Sequence, residues 1–537
     1  MLVTALGYGT PIGWAISTKK PTISRGNMQD ASVSRTAVPE AGLQRLILPA
    51  TLLVLVLAFG LSAATLGREN FWIDELSSLY FSEPTHSFSD VAFKIWPTET
   101  NPPLYYLYLY LWRHLVPYAD ESSIRAASLI PAILACLSPL LYSSRVMAYE
   151  RRLAVTLLLA CSHGVLYYAA EARGYALLLL LAVNASFLFL SILQAMRSGT
   201  DRIGWRVLLL SLLAAAAAWT HLFGILLAAA LFAVLTLTAI VRRQHVPLIV
   251  GMGALTGAVS IVWPVSHAAY MEAIASDHWF ISLDWENLLT ESKALAFMAF
   301  GYKWSVIAIA GLTFAALVHG AAAARARPSS EHFLLLALLV FVALVGLLSL
   351  DKPLTFSRYF IITLPAIYII VVNATGEAAE RALSLPAAAH FAAMLVFAAA
   401  LAFAWPIFVP ANREDWRQPA MVVNETSVCR GAPILVAAAP PDSGDPVYLY
   451  SHYLDPAQQV RLIPIQSAAA LDPQVWSEVK ASPCPVKIWA GHIDPWRMRQ
   501  FATELGQYGA GYRIEAYRKA FLYVAARQAS GLAATLH

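Results

Sequence analysis

Residues 207–241 read VLLLSLLAAAAAWTHLFGILLAAALFAVLTLTAIV, 35 positions without an Asp, Glu, Lys or Arg. At about 1.5 Å per residue, one helix of that length would far exceed a hydrocarbon core of about 30 Å. The run therefore divides, and Trp219-Thr220-His221 is the polar place to divide it. Two crossings joined by a tight turn result. Such a pair belongs to a helical array in a bilayer, where each backbone N–H and C=O must find its partner within the segment.

Working outward, uncharged runs of about 18 residues or more mark further spans. They lie at 46–66, 126–143, 153–170, 174–196, 246–271, 304–324, 333–350, 359–376 and 382–412. With 207–241 counted twice, the reading is eleven transmembrane helices. The short apolar stretch 294–302 stays uncounted; the count lies between eleven and thirteen. Composition agrees. The chain is 58% hydrophobic and 13% charged, whereas soluble domains carry roughly 25% charged residues. This excludes an ordinary soluble enzyme and a disordered chain. A net charge of +4 is too small to imply nucleic acid as a partner. The four cysteines show no metal-ligand spacing, and Cys136 and Cys161 lie in apolar runs as small hydrophobes.

Positive charge orients the array. With the N-terminus cytoplasmic, the inner segments hold Lys19, Lys20, Arg25, Arg35 and Arg45, then Arg145, Arg151, Arg152, Arg197, Arg202, Arg206, Arg242, Arg243, Arg325, Arg327 and Arg381. The outer loops are longer and poorer, with Arg68, Lys94, Arg113, Arg173, Lys293, Lys303, Lys352 and Arg358. An odd number of spans then puts the chain after about residue 410 outside the cytoplasm.

Three regions follow. Residues 1–44 read as a disordered cytoplasmic leader without signal-peptide architecture, since Lys19-Lys20 follows its mild apolar stretch. Met28 is an alternative start, and 46–66 is an uncleaved anchor. Residues 45–409 form the membrane body, with outer loops at 67–123 and about 272–303. Within the first, Leu104–Leu115 (LYYLYLYLWRHL) is too short to span and rich in aromatic residues, so it reads as an interfacial helix. Residues 410–537 alternate strand-like runs (Ile434–Ala438, Val460–Pro464, Val486–Trp489, Tyr512 to about Val524) with an amphipathic helix, Asp494–Tyr508. That pattern suggests a small extracytoplasmic α/β domain. Cys429 and Cys484 each precede a strand-like run; in an oxidising compartment a disulfide between them and two free thiols are the two readings. The fold class is therefore mainly α, a polytopic membrane protein with a small C-terminal α/β domain.

The chemically capable residues gather on the outer side. Asp74 and Glu75 follow the first span in Phe71-Trp72-Ile73-Asp74-Glu75. Their bland reading is a helix N-terminus whose acids complement the dipole. Asn101, Glu171, Arg173, Tyr175, His221, Lys352, Arg358 and Tyr359 lie at the outer ends of other spans. Taken singly, Arg173, Lys352 and Arg358 read as snorkelling cations, and His221 as a buried imidazole. A charge costs on the order of 2.5–3.5 kcal/mol at a helix centre and less near its ends. Several on one leaflet suggest a polar cavity. In such a cavity cations can hold the phosphate of a lipid-borne sugar, and a carboxylate can act as general base on an acceptor hydroxyl or amine. A nucleotide-binding glycine motif is absent from the sequence.

At these residues the chain resembles the membrane glycosyltransferases of the GT-C class, in the bacterial branch related to protein O-mannosyltransferases and the lipid A aminoarabinose transferase. The resemblance rests on Trp72-Ile73-Asp74-Glu75, Asn101-Pro102-Pro103-Leu104-Tyr105-Tyr106, Tyr168 to Tyr175, Trp219 to Gly224, Arg358-Tyr359-Phe360 with Pro365, and Glu414-Asp415-Trp416-Arg417. It implies an undecaprenyl- or dolichyl-phosphate sugar donor, an inverting transfer at the outer face of a bacterial inner membrane, and an acceptor such as lipopolysaccharide, cell-envelope glycan or protein. It further implies Asp74 as general base and Glu75 as the neighbour that orients it or meets the acceptor. Arg173, Lys352, Arg358 and Tyr359 become carrier-phosphate ligands, and Asn101, Glu171, Tyr175 and His221 line the cavity. Asn101 stands where relatives often have His or Lys, so it offers only a neutral hydrogen bond. Oligosaccharyltransferase relatives place a divalent cation beside such acids and the closer relatives do without one, so the resemblance implies no catalytic metal here.

Two other functions fit a polytopic chain. A lipid-linked sugar transporter or flippase would carry polar residues near mid-membrane, often at broken helices, and the mid-span positions here are nearly free of charge. A polysaccharide polymerase or ligase would be expected to show a long late outer loop, and 351–358 is short.

Overall fold

The computed structural model describes residues 40–199, 202–278, 284–301, 330–351, 353–382, 386–408, 414–425, 433–437, 444–458, 461–465, 486–491, 511–517 and 520–526, with Gln474, Ser477 and Thr503. The expected leader (bar 40–44), the run 304–324, Lys352, Cys429, Cys484 and nearly all of Asp494–Tyr508 lie outside the described residues.

Seven helices among the described residues are long and apolar enough to cross a bilayer: Ile47–Thr65, Glu121–Leu141, Tyr175–Arg197, Phe223–Arg242, Val246–Ser266, Ser330–Leu348 and Ser357–Glu380. Tyr149–Cys161 and His163–Ala169, bent by 58° where they meet, make an eighth when taken as one span. Gly204–Thr220 and Ala389–Leu401 are shorter apolar helices. These elements fall on ten of the eleven expected spans, and the run 304–324 lies outside the described residues. The chain is a multi-pass, mainly helical membrane protein. Tyr175–Arg197 is deeply enclosed, and its Leu178, Val183, Phe187 and Phe189 are buried in the core.

Two breaks in the helical array matter for the site. The run 153–170 reads as one span, yet Ser162 interrupts it. Its backbone is extended, its Oγ accepts from Val165 N–H at 3.4 Å, and its hydroxyl donates to the Met298 carbonyl at 2.9 Å. A hydroxyl that caps a new helix competes with continuing the old one. The run 207–241 does turn at Thr220–Leu222. His221 N–H donates to Ala217 O, and Gly224 N–H to His221 O. A Cβ on Gly224 would lie 2.2 Å from the Ala217 carbonyl carbon and oxygen, so only glycine lets the second helix start this close to the first.

Outside the spans, Asp74 and Glu75 open the short helix Ile73–Phe81. Leu104–Leu115 is a helix that buries Tyr105, Tyr106, Leu109 and Tyr110 while Leu111 and Leu115 stay exposed. The uncounted stretch 294–302 is largely the end of the helix Trp285–Phe300. Beyond Glu425, five strands form one mixed sheet: β1 (Pro433–Ala437), β2 (Arg461–Ile465), β3 (Val486–Gly491), β4 (Gly511–Tyr517) and β5 (Ala520–Ala526), in the order β2-β1-β3-β5-β4. β1 pairs in parallel with β2 and β3, and β5 runs antiparallel to β3 and β4. The single strand-like run from Tyr512 is thus two strands, with Tyr517 opposite Ala520. Trp416 and Tyr450 pack against Trp489 of β3, the three ring centres lying 4.8–6.0 Å apart.

Candidate functional site

Asp74 sits in the first turn of Ile73–Phe81, and its carboxylate faces two guanidinium groups. Arg358 Nη1 lies 3.5 Å and Arg173 Nη2 3.8 Å from Asp74 Oδ2. Arg173 also donates to the Asp74 carbonyl and to the Tyr106 hydroxyl, both at 3.3 Å. The three residues come from three segments: the acid helix, the turn before Tyr175–Arg197, and the 3-10 turn Ser357–Thr363. That 3-10 turn is fastened by Glu291, whose carboxylate accepts from Ser357 N–H at 2.6 Å.

Glu75 points the other way. It is fully buried and paired with Arg125, whose Nε and Nη2 donate at 2.7 and 2.6 Å. Its oxygens also accept from Ala172 N–H at 2.9 Å and Trp72 N–H at 3.3 Å. Arg125 spends its remaining donors on the carbonyls of Leu66, Glu69 and Asn70. Glu75 therefore ties together the acid helix, the loop before it and the backbone beside Arg173.

Asn101 is tied to Glu99. Its backbone and side-chain N–H groups both donate to Glu99 Oε1 at 2.8 Å, and Glu99 is 2% exposed. Glu99 also hydrogen-bonds the Tyr106 hydroxyl, which joins it through Tyr106 to Arg173. Glu171 is buried, and its carbonyl accepts from Arg173 N–H at 2.8 Å.

Aromatic rings line the far side of Arg358. Its guanidinium lies 4.8 Å from the Phe356 ring centre and 5.5 Å from that of Tyr359, a cation–π arrangement. The His221 ring lies tilted against those of Tyr359 and Tyr175, with centres 4.9 and 5.9 Å away. Burial, reinforced by Arg173 and Arg358, pushes His221 down to about 3, so the imidazole is neutral. Its Nδ1 accepts from Phe223 N–H at 3.2 Å, which leaves the proton on Nε2. The structure thus assembles Asp74, Arg173, Arg358, Tyr359, Tyr175 and His221. It directs Glu75 into a structural pair, adds Arg125 and Glu99, which the sequence reading passed over, and gives a contact to Tyr106, which was quoted only as part of a motif. Arg125 had a signal, being a charge at the very start of an apolar run. Glu99 had only its nearness to Asn101.

No family model and no curated protein matches the chain. Solved structures do. ArnT from Cupriavidus metallidurans in the apo state superposes with a TM-score of 0.54 at 12% identity, over 90% of this chain and 98% of that one. The same protein bound to undecaprenyl phosphate gives 0.50 at 13% identity with the same coverage. At such identity the likeness concerns architecture alone, and the architecture of this chain is the GT-C fold.

Proposed function

We propose that the protein is an inverting glycosyltransferase that moves one sugar from a polyprenyl-phosphate donor, of undecaprenyl or dolichyl type, to an acceptor on the extracytoplasmic side. The observation that carries this reading is the placement of the Asp74 carboxylate between Arg173 and Arg358. In the proposed reaction, Asp74 takes the proton from an acceptor hydroxyl. The freed oxygen forms a bond to the anomeric carbon on the face opposite the phosphate. The anomeric C–O bond breaks, and its electron pair leaves with the polyprenyl phosphate. Arg173 and Arg358 hold that departing charge, where fixed charges in a water-poor site act strongly. The neutral Nε2–H of His221 and the hydroxyl of Tyr359 are further donors for the sugar or its phosphate, and Lys352 is a further candidate. Glu75 orients Asp74 through Arg125.

The same geometry suggests an exchange of partners. Without donor, the two arginines are engaged by the Asp74 carboxylate. A bound phosphate draws them away and frees the carboxylate to meet the acceptor. In this reading the N-terminus is cytoplasmic, 45–409 is the catalytic body and 410–537 is extracytoplasmic; the acceptor is lipopolysaccharide, another envelope glycan or a protein. The arginine-rich inner loops support the orientation.

The test is transfer by the purified full chain from a panel of radiolabelled undecaprenyl-phosphate monosaccharides to envelope fractions. Asp74→Asn should lower transfer by about 10²–10⁴ and still bind undecaprenyl phosphate. Transfer undiminished in that variant removes the proposed base.

A further inference from the structure

The turn that delivers Asp74 to the arginines is held from beyond the helix Ala387–Phe408. Phe71 N–H donates to the Tyr453 hydroxyl at 2.7 Å, 382 residues away. Ile73 N–H donates to Glu414 Oε2 at 3.0 Å, across 341 residues. The Asn70 side-chain amide donates to the Glu414 carbonyl at 2.7 Å. Glu414 is 2% exposed, and the same Oε2 accepts from Trp416 Nε1–H at 2.9 Å. Trp416 is fully buried against Tyr450 and Trp489, so this carboxylate is anchored to the packed base of the sheet.

The first N–H groups of a helix have no partner within it. Here Glu75 takes that of Trp72 and Glu414 that of Ile73. Their negative charges also complement the dipole of the acid helix. One carboxylate reaches inward to Arg125 and the other comes from the C-terminal segment, which fixes the azimuth at which Asp74 leaves the helix. We propose that Glu414, assisted by Tyr453, is a positioning residue for Asp74. The chain beyond the membrane body then completes the base assembly, whatever it does for the acceptor. This inference rests on the reading of Asp74 as general base. A misplacement of about 1 Å at a reacting group costs on the order of a hundredfold in rate, so the effect belongs in kcat.

The experiment compares the full chain with Glu414→Ala, Glu414→Gln and Tyr453→Phe by three readouts. These are backbone hydrogen exchange over 70–76, transfer kinetics with the donor of the panel that the wild type uses, and binding of undecaprenyl phosphate. Glu414→Ala should speed exchange at Phe71 and Ile73 and lower kcat about tenfold or more, with phosphate affinity within about twofold. Glu414→Gln keeps an acceptor oxygen for Ile73 N–H and should recover most of kcat. Tyr453→Phe should speed exchange at Phe71 alone and lower kcat less. Unchanged exchange in Glu414→Ala, or faster exchange with full kcat, overturns the proposal. A wild type that neither transfers from the panel nor binds undecaprenyl phosphate overturns the glycosyltransferase reading instead, and exchange at Phe71 and Ile73 still decides whether Glu414 and Tyr453 hold the turn.

Discussion

The guanidinium of Arg125 closes on the carboxylate of Glu75 through two parallel bonds of 2.7 and 2.6 Å, with side-chain exposures of 1% and 0%. A bidentate pair this deep is fully committed, since both partners also bind backbone groups on three sides. Removing one member leaves the other charged and buried, which costs roughly 3–5 kcal/mol. Glu75→Ala and Arg125→Ala should therefore lose folded protein first and activity as a consequence. The apolar double variant Glu75→Leu/Arg125→Met should melt higher than either single variant, because no lone charge remains. Thermal melts followed by size-exclusion chromatography in detergent read this directly. Single variants that melt like the wild type but transfer nothing would return Glu75 to the chemistry.

Arg173 and Arg358 face the same oxygen of Asp74 but are not equivalent. Arg358 approaches Oδ2 and otherwise lies over Phe356 and Tyr359. Arg173 also braces the Asp74 carbonyl and the Tyr106 hydroxyl. Arg358→Ala should weaken undecaprenyl phosphate binding about tenfold or more, the worth of a hydrogen bond to a charged group at about 1.5–3 kcal/mol, and should lower kcat, because the departing phosphate loses a partner. Arg173→Ala should lower affinity likewise and kcat further, because Asp74 also loses its brace. Titration calorimetry with undecaprenyl phosphate, paired with transfer kinetics, separates the two. Equal phosphate affinity in wild type and Arg358→Ala would remove Arg358 from the proposed phosphate site.

What could be read from the sequence, and what could not, divides along physical lines. The spans were legible because hydrocarbon imposes a length and a composition on each, and the turn at Trp219-Thr220-His221 because the run was too long for one crossing. Asp74, Arg173 and Arg358 were legible as polar groups at the ends of spans. The bend at Ser162 was hidden because the run 153–170, although it contains Ser162-His163-Gly164, is short enough for one crossing and so demands no break. The strands ending at Tyr517 and starting at Ala520 merged into one run because Arg518-Lys519 lacks the Asn-Gly or Gly-containing signal of a tight hairpin. Arg125 looked like the flank of a span; only the path of the chain brings Glu75, 50 residues earlier, onto it. Glu414 stood in a noticed tetrapeptide, but its partner, a backbone N–H at Ile73, has no signature in sequence at all.

His452 links acidity to the same turn. Its ring lies edge-on to Phe71 at 5.4 Å and to Tyr453 at 4.7 Å. Burial lowers it from 6.5 to about 4; Arg113 and Arg417 add to the fall, and Glu121 and Glu83 oppose it. The unfolded chain therefore takes up a proton at this residue below about pH 6.5, while the folded chain refuses it until about pH 4. Stability rises with pH wherever the unfolded state binds more protons. The contribution of His452 is thus full above about pH 6.5, declines as pH falls toward about 4, and changes no further below that. His452→Gln carries no titrating group, so its melting temperature should fall less than that of the wild type between pH 6.5 and 4.5, and the two curves should run parallel above pH 7. Hydrogen exchange at Phe71, whose N–H rests on the neighbouring Tyr453 hydroxyl, should quicken across the same interval in the wild type beyond its intrinsic pH dependence. Parallel melting curves over the whole range would show that His452 is free to protonate in the folded protein, and that acid reaches the Asp74 turn by another route.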